Sequence, residues 1–223
     1  MIYRIIQSYN LMQKSLPIIT AIVVQRRTSR CSIFINGEFY LGCSIDIATA
    51  HGLRKGMDLT EELAQKLHAD NRRYDIKQKA LNYATYKPRT VGQVRQAMHK
   101  KGYTPEEIEY CIAFLHEFDY LDDTRYAQTF IREYSQRKKA ANNRLRIELT
   151  KRFIPKTIIE KVLQEFAPTI NMAELCKQAA EKKLRALQSR PPEKRKTALI
   201  GFLQRQGFAW QDIKHVLEEC ELL

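Results

Sequence analysis

Apolar residues in the last two-thirds of the chain follow one pattern, which appears three times. Each copy has two apolar residues four positions apart, a short turn, and an apolar residue that opens another amphipathic run. The matching positions are Val94, Met98, Gly102, Tyr103 and Ile108, then Leu145, Leu149, Phe153, Ile154 and Ile159, then Leu199, Leu203, Gly207, Phe208 and Ile213. Self-similarity at a period of about fifty residues predicts an array of small helical repeats, each burying its apolar face against its neighbour.

Each repeat is predicted to contain three helices, because a further apolar-periodic segment precedes each copy, at 76–86, 126–137 and 175–187. We therefore expect a mainly α-helical fold in which repeat 1 covers residues 72–123, repeat 2 covers 124–171 and repeat 3 covers 172–223.

Helix boundaries within the repeats have recognisable signals. Thr90 with Gln93 and Thr104 with Glu107 are each spaced as a capping box, which satisfies free amides at a helix start. Gly102 and Gly207 stand where a left-handed residue ends a helix. Phe153 occupies that place in repeat 2, and a side chain disfavours this conformation, so we expect its turn to be built differently.

The chain before the repeats has another character. Residues 18–25, 31–36 and 38–43 are rich in β-branched and aromatic side chains, and Asn36-Gly37 is a strong hairpin signal. Short helices are predicted at 44–51 and 60–69. We expect a small module over 18–71, preceded by a loose tail at 1–17. The tail is either an extension without function or a result of starting at Met1 rather than Met12.

Charge is unevenly distributed along the chain, which carries a net charge of +13. Repeat 2 has 11 basic and 4 acidic residues, whereas repeat 1 has 9 and 8. Seven of those basic residues fall within sixteen positions, namely Arg137, Lys138, Lys139, Arg144, Arg146, Lys151 and Arg152. A concentration of this kind is typical of a surface that meets a polyanion, although a solvated basic face is the alternative.

Enzyme chemistry has no support in the sequence. Phosphate-binding loops, zinc-protease motifs, nucleophile elbows and dinucleotide-binding glycine clusters are all missing, so we predict no catalytic residues, no metal and no cofactor. The five cysteines are dispersed and are expected to be free thiols. With no apolar run long enough to span a membrane and no signal peptide pattern, we expect a cytoplasmic protein.

Several strings resemble the RecX family of recombinase regulators. They are Phe118-Asp-Tyr-Leu121-Asp122-Asp123-Thr-Arg-Tyr126-Ala-Gln-Thr-Phe130-Ile131, preceded by Tyr86-Lys-Pro-Arg-Thr90 and Lys100-Lys-Gly-Tyr103, and followed by Arg144-Leu-Arg-Ile-Glu-Leu149. The resemblance extends from about residue 18 to the C-terminus and is strongest in repeat 1 and the start of repeat 2. It implies a cytoplasmic, non-enzymatic protein of tandem three-helix repeats that binds the RecA recombinase filament along its groove and limits ATP hydrolysis and strand exchange. We also expect the protein to be a monomer.

Two groups of residues are candidates for function and for structure. We expect the basic face to meet the recombinase and its DNA through Lys138, Lys139, Arg144, Arg146, Lys151 and Arg152. The string from Phe118 to Ile131, called the family string below, is expected to be structural. An aspartate should cap a helix near Thr124. The residues at the junction between repeats should be Leu121, Asp122, Asp123, Tyr126 and Phe130. Since we expect the basic side chains to be exposed, replacing Arg144, Lys151 and Arg152 together should leave the fold intact.

Two other functions remain open from the sequence. In a direct DNA-binding protein, helix-turn-helix pairs would enter the major groove. The last helix of repeat 1 argues against this, because Glu106, Glu107, Glu109 and Glu117 would repel phosphate. A purely structural repeat scaffold is the other alternative.

Overall fold

A computed structural model describes residues 16–26 and 28–220 of the chain. The predicted loose tail therefore lies outside the described residues, apart from Leu16 and Pro17. The chain divides into two compact units, one ending at Lys79 and one beginning at Ala80. The first contains a small sheet and the second an array of helices, so the predicted mainly α fold with an N-terminal β module is confirmed.

The first unit is built on a three-stranded antiparallel sheet in the order β1-β2-β3. The strands are β1 (Ile19–Val24), β2 (Arg30–Ile35) and β3 (Glu38–Ser44). Asn36 and Gly37 connect β2 to β3 with φ values of 50° and 89°, as a two-residue turn with two left-handed residues requires. The predicted hairpin is confirmed.

Two helices follow the sheet. Helix α1 (Ile45–Ala50) is capped by Ser44, whose side chain accepts a hydrogen bond from the Ile47 amide at 3.2 Å. Helix α2 (Glu61–Tyr86) is one continuous helix of 26 residues, so the prediction of separate helices at 60–69 and 76–86 is wrong. No proline or glycine stands between residues 70 and 75 to break the helix, and a polar run can continue along a helical face.

The second unit contains the end of α2 and a succession of shorter helices. They are α3 (Val91–Lys100), α4 (Pro105–Glu117), α5 (Asp123–Lys138), α6 (Asn142–Thr150), α7 (Lys156–Phe166), α8 (Met172–Arg185), α9 (Pro192–Arg205) and α10 (Trp210–Glu219), with a short 3₁₀ turn at Ala167–Thr169. Thr90 and Thr104 form the predicted capping boxes at the starts of α3 and α4.

The apolar positions of the sequence pattern form the core of the repeats. Met98, Leu149 and Leu203 are completely buried, and the matching Ile108, Ile159 and Ile213 are at most 2% exposed. The equivalence predicted from their spacing is confirmed.

The same turn joins the second and third helices of every repeat. The backbone amides of Tyr103, Ile154 and Phe208 donate to the carbonyls of Met98, Leu149 and Leu203, at 3.4, 3.3 and 3.2 Å respectively. A left-handed residue precedes each donor, with φ values of 80° at Gly102, 60° at Phe153 and 87° at Gly207. This bond, which spans the left-handed residue, belongs to the Schellman motif, and the residue after the left-handed one packs its apolar side chain inward.

Repeat 2 therefore contradicts the prediction of a different turn at Phe153. The residue adopts the left-handed conformation despite its side chain, at a cost of roughly 1–2 kcal/mol. Burial of Ile154 behind it, at 4% exposure, and the bond from Ile154 to Leu149 hold the turn in this form.

Successive repeats meet through an equivalent hydrogen bond to a backbone carbonyl. The residue that begins the second helix of one repeat donates to the carbonyl just before the left-handed residue of the next repeat. In the first junction the Thr90 hydroxyl donates to the Arg152 carbonyl. In the second junction alanine has no hydroxyl, and the backbone amide of Ala141 donates to the Gln206 carbonyl at 2.9 Å.

Close approach at each junction requires one glycine. A Cβ atom on Gly92, in the first turn of α3, would lie 2.2 Å from the Phe153 Cβ. A Cβ atom on Gly207 would lie 2.4 Å from the Arg144 amide nitrogen. The glycine thus stands on the helix in the first junction and on the turn in the second. Either arrangement lets the backbones approach.

The first junction has a further polar contact, made by the family string. Asp122 caps α5 by accepting a hydrogen bond from the Arg125 amide at 2.9 Å, so the predicted capping aspartate is confirmed. Asp123 is buried and instead accepts from the Val91 amide, also at 2.9 Å. Burial raises the pKa of Asp123, and the Val91 hydrogen bond opposes this shift.

The Gly92 contact predicts a specific coupling between the two sides of the first junction. Gly92→Ala should destabilise the protein by about 1–3 kcal/mol because the new methyl group overlaps Phe153. In a Phe153→Gly background the same substitution should cost much less. Thermal or urea unfolding of the four proteins in this double-mutant cycle measures the coupling.

Gly201→Ala is the matched control, because Gly201 is also helical and its Cβ would meet only the flexible end of Arg205 at 3.2 Å. It should be neutral or stabilising, by up to about 1 kcal/mol. Equal losses for Gly92→Ala with and without Phe153 would contradict the contact.

We expect two substitutions of Asp123 to have different effects on stability. Asp123→Asn retains an oxygen acceptor for the Val91 amide and removes a buried charge, so stability at neutral pH should be unchanged or higher. Asp123→Ala leaves that amide without a partner and should cost about 1–2 kcal/mol. Because the folded pKa lies above the unfolded one, the wild type loses stability from this group as pH rises through that interval. Urea unfolding between pH 3 and pH 7 should show this loss as a change in the stability difference between the wild type and Asp123→Asn, because other groups such as Glu148 contribute equally to both.

Candidate polyanion-binding site

The basic residues singled out in the sequence form two groups in the structure. Arg144, Arg146, Lys151 and Arg152 lie on or just after α6 and face carboxylates. Lys138 and Lys139 lie at the end of α5 and line an open cleft beside α8. The single basic face expected from the sequence is therefore two different environments.

Three cations of the first group converge on one buried carboxylate. Glu148 has a side chain that is 11% exposed, and its oxygens lie 2.9 Å from Arg144 Nη2, 3.3 Å from Lys151 Nζ and 3.0 Å from Arg152 Nη1. Arg152 also donates to the Glu148 backbone carbonyl. Burial acts to raise the pKa of Glu148, but hydrogen bonds from Arg152 and Lys151 outweigh it, and the pKa is lowered.

The expectation that these basic side chains are exposed is confirmed for Lys151 and is wrong for Arg144 and Arg152, which are partly buried. Survival of the fold without all three stays a prediction, and the contacts around Glu148 argue against it. The Arg152 side chain is 26% exposed, and its guanidinium lies 4.2 Å from the centre of the Phe130 ring. Removing Arg144, Lys151 and Arg152 together would leave the buried Glu148 charge without a partner, which is costly. The role of this surface in binding is better tested with variants that leave Arg144 and Arg152 in place.

Arg146 has its own partner. Its guanidinium makes a two-pronged contact with Glu160 of α7, at 2.8 Å from Nε and 3.0 Å from Nη2. Both side chains are partly exposed, at 40% and 43%, so the pair holds α6 to α7 without being removed from water.

Three aromatic residues form a stack along α5, and two of them, Tyr126 and Phe130, belong to the family string. Phe130 lies between Tyr126 and Tyr134, with ring centres 6.4 and 4.9 Å away. The three rings pack against the core of repeat 2 and remain partly buried. Leu121 is buried at the start of this segment, so the string acts in packing and capping, as expected.

Sequence reasoning missed two basic residues that line the cleft beside α8. It has a volume of about 320 Å³, and Lys182 and Lys183 of α8 line it together with Lys138 and Lys139. More than forty residues separate the two pairs along the chain, and no spacing rule connects them. Their position in the last turn of a predicted helix was the available signal.

Other chemistry receives no structural support. Within the described residues, no group of three His, Cys, Asp or Glu side chains is placed to hold a metal ion. Burial raises the pKa of Cys43 and Cys176 to about 12 and that of Cys111 to about 11, so these thiols stay protonated. None of the described helices has both the length and the apolar character needed to cross a membrane.

Glu148 predicts a pH-dependent contribution to stability. Its folded pKa lies below its unfolded value, so the contribution is complete above the unfolded pKa and disappears as pH falls through the folded pKa. Glu148→Gln should cost about 2 kcal/mol at neutral pH, less than for a fully buried ion pair because its partners are partly hydrated. The difference from wild type should vanish in strong acid, as measured by urea unfolding.

Glu160→Gln is the control, since it removes a carboxylate of an exposed pair. It should change stability little. A similar loss for both variants would show that the convergence of three cations on Glu148 has no special role.

Family models match nearly the whole described chain. The RecX N-terminal domain matches residues 17–60, and the first, second and third three-helix domains of RecX match residues 77–115, 122–163 and 171–217. The matches to the three-helix domains fall on the helices that contain the repeated apolar pattern.

Related proteins in several bacteria are named regulatory protein RecX. Regulatory protein RecX of Clostridium acetobutylicum is 28% identical over 205 residues, which are 90% of this chain and 95% of that protein. Regulatory protein RecX of Caldanaerobacter subterraneus subsp. tengcongensis is 30% identical over 166 residues, covering 74% of this chain and 84% of that protein.

Solved structures share the fold. A crystal structure of regulatory protein RecX aligns with a TM-score of 0.69 at 22% identity, covering 91% of this chain and all of that one. The crystal structure of RecX from Lactobacillus salivarius aligns with a TM-score of 0.59 at 21% identity, covering 69% of this chain and 99% of that one. With matching models over its N-terminal module and all three repeats, the chain belongs to the RecX family of regulatory proteins.

Proposed function

We propose that this protein binds the filament of the RecA recombinase and limits its ATP hydrolysis and strand exchange during DNA recombination and repair. It acts as a monomer in the cytoplasm, without catalysis or a cofactor of its own. The observation that carries the proposal is the array of repeats with a large excess of positive charge in repeat 2. An array of this kind offers a long surface and no reaction centre.

Charge and repetition suit a helical nucleoprotein target. A filament presents the same protein surface at regular intervals, with DNA phosphates within it, and an array can contact several protomers at once. The basic residues would supply attraction to the phosphates and to acidic loops, which raises the rate of association and the affinity at low salt.

The six expected contact residues take different roles in this proposal. Lys138 and Lys151 are exposed and can reach a partner directly, and the Lys151 side chain is 60% exposed. Arg144, Arg146 and Arg152 are engaged by carboxylates and contribute chiefly by shaping the surface. Lys139 Nζ donates a hydrogen bond to the Gln178 side-chain oxygen at 2.8 Å.

The proposal is tested first with the unmodified protein. Its affinity is compared for bare single-stranded DNA, for free recombinase and for the assembled filament, at two salt concentrations. Preference for the filament, together with a lower rate of ATP hydrolysis by the recombinase, is the expected result. Equal affinity for bare DNA and filament, with no effect on ATP hydrolysis, would favour a direct DNA-binding protein.

A variant at two exposed lysines then locates the surface. Because Lys151 also contacts Glu148 at 3.3 Å, thermal unfolding of the variant is measured alongside its binding. Lys138→Gln combined with Lys151→Gln should weaken filament binding about tenfold at low salt, with a smaller effect at high salt because counterions already screen these charges. Inhibition of ATP hydrolysis should weaken in parallel.

The matched control places the same change of charge in the first unit. Lys55→Gln with Lys66→Gln removes two exposed lysines there and should leave filament binding nearly unchanged. If both double variants bind equally well, total charge rather than the surface of repeat 2 determines the affinity.

A further inference from the structure

Another cleft lies within the second unit, where the end of α2 meets the start of α5. It is larger than the cleft beside α8, with a volume of about 620 Å³. The string from Tyr86 to Thr90 supplies Lys87 and Arg89 to its lining, and the family string supplies residues between Asp119 and Phe130. Two of the strings that carry the family resemblance therefore face one open cleft, in addition to the packing and capping that their buried residues provide.

Arg89 stands in this cleft without an acceptor for its guanidinium. Its Cζ lies 4.1 Å from the centre of the Tyr83 ring, so the guanidinium is stacked on an aromatic side chain. Its Nε is buried and has no hydrogen-bond partner, and Arg89 forms no ion pair with any residue of the described ranges. A stacked guanidinium with no partner of its own is suited to a two-pronged contact with a carboxylate from outside.

The other charges in the lining distinguish this cleft from a phosphate-binding groove. Three cations and three carboxylates line it, namely Lys87, Arg89, Arg125, Asp119, Asp122 and Glu133. The Arg125 guanidinium donates to the Asp119 backbone carbonyl at 3.1 Å, which leaves the Asp119 carboxylate facing the cleft's own surroundings. Closely spaced phosphates would be repelled by the three carboxylates. A mixture of both charges with aromatic residues is typical of a surface that binds protein.

Exposed aromatic side chains are grouped around the same cleft. Tyr120 lines it and is 43% exposed, and Tyr86, which follows the lining residue Thr85, is 84% exposed. Phe118 precedes Asp119 and is 56% exposed. Tyrosine, phenylalanine and arginine are enriched in protein interfaces, and grouped exposed apolar side chains mark such surfaces.

We propose that this cleft is the docking site for a segment of the recombinase protein in which an acidic residue stands next to an apolar one. The carboxylate of that segment binds Arg89, and the apolar side chain packs against Tyr126 and Phe130. This inference rests on the proposed function, which names the recombinase as the partner. It adds a contact to protein rather than to DNA, on a surface distinct from the basic residues of repeat 2.

Arg89→Ala tests the carboxylate contact. Affinity for the assembled filament should fall about tenfold, the effect of losing one central interface arginine. Arg89→Lys keeps the charge but lacks the planar fork, so it should recover only a small part of the loss. Arg132→Ala is the matched control, because it removes an exposed arginine of α5 that does not line this cleft, and it should bind the filament like the wild type. Affinity for a bare single-stranded oligonucleotide should change no more in Arg89→Ala than in Arg132→Ala.

Thr85 tests the same cleft without changing Arg89. It is exposed in the last turn of α2 and lines the cleft. Thr85→Trp fills the cleft from an exposed helical position, so it should weaken filament binding about tenfold while thermal unfolding stays unchanged. This variant decides the outcome if Arg89→Ala is itself unstable. A benzoylphenylalanine introduced at position 85 should cross-link to the recombinase on irradiation, and mass spectrometry should place the cross-link beside an aspartate or glutamate that adjoins an apolar residue.

Three results would overturn the inference. One is filament binding by Thr85→Trp as strong as that of the wild type. Another is an equal loss of filament binding in Arg89→Ala and Arg132→Ala, which would assign the effect to overall charge. The third is a cross-link to a recombinase segment without an acidic residue. Failure of the proposed function looks different, since the unmodified protein would then show no preference for the filament over bare DNA, and the docking site would fall with it.

Discussion

The array depends on how closely one repeat's helix start can approach the next repeat's turn. At the first junction the Thr90 hydroxyl donates to the Arg152 carbonyl, and at the second the Ala141 amide donates to the Gln206 carbonyl. A side chain on both partners would push them apart, and a glycine on one partner, Gly92 or Gly207, prevents this. The left-handed residue in each turn brings that carbonyl into reach. The turn conformation and the stacking of repeats are therefore one constraint.

This constraint explains how the fold persists at low sequence identity. A known RecX structure shares the fold at 22% identity. The acceptor at each junction is a backbone carbonyl, which every residue has, and the donor is a hydroxyl in one junction and a backbone amide in the other. The apolar positions at the turns require only the right size and burial. Within this chain the same junction is built once with a threonine hydroxyl and once with an alanine amide. The three repeats share few residues although their turns are equivalent.

Spacing in the sequence was sufficient to predict the buried positions, because an apolar period is a direct consequence of helix geometry. Spacing failed to predict conformations that depend on contacts between residues far apart in the sequence. Phe153 adopts a left-handed conformation that its side chain disfavours. The turn is held in this form because the next residue, Ile154, is buried, and because Gly92 has no side chain to overlap Phe153. The sequence pattern does not predict the length of α2, because a polar stretch between two apolar-periodic segments has the same appearance as a break between helices. The bond from the Ala141 amide to the Gln206 carbonyl joins two backbone groups and leaves no residue signature, so it could not be predicted.

The charged residues show the same difference between what the sequence predicts and what only the structure reveals. The sequence reports how many basic residues repeat 2 contains, but only the structure separates the cations held by Glu148 from those left facing solvent. One buried carboxylate engages three of the six residues expected to bind, and the unpaired excess lies in the cleft between α5 and α8. Gln206 lines that cleft and also accepts the junction bond from Ala141. Since the walls of the cleft come from repeats 2 and 3, the cleft exists only when those repeats are packed together. A polyanion bridging both walls would bind this packed state in preference to a separated one, and would stabilise the junction by mass action.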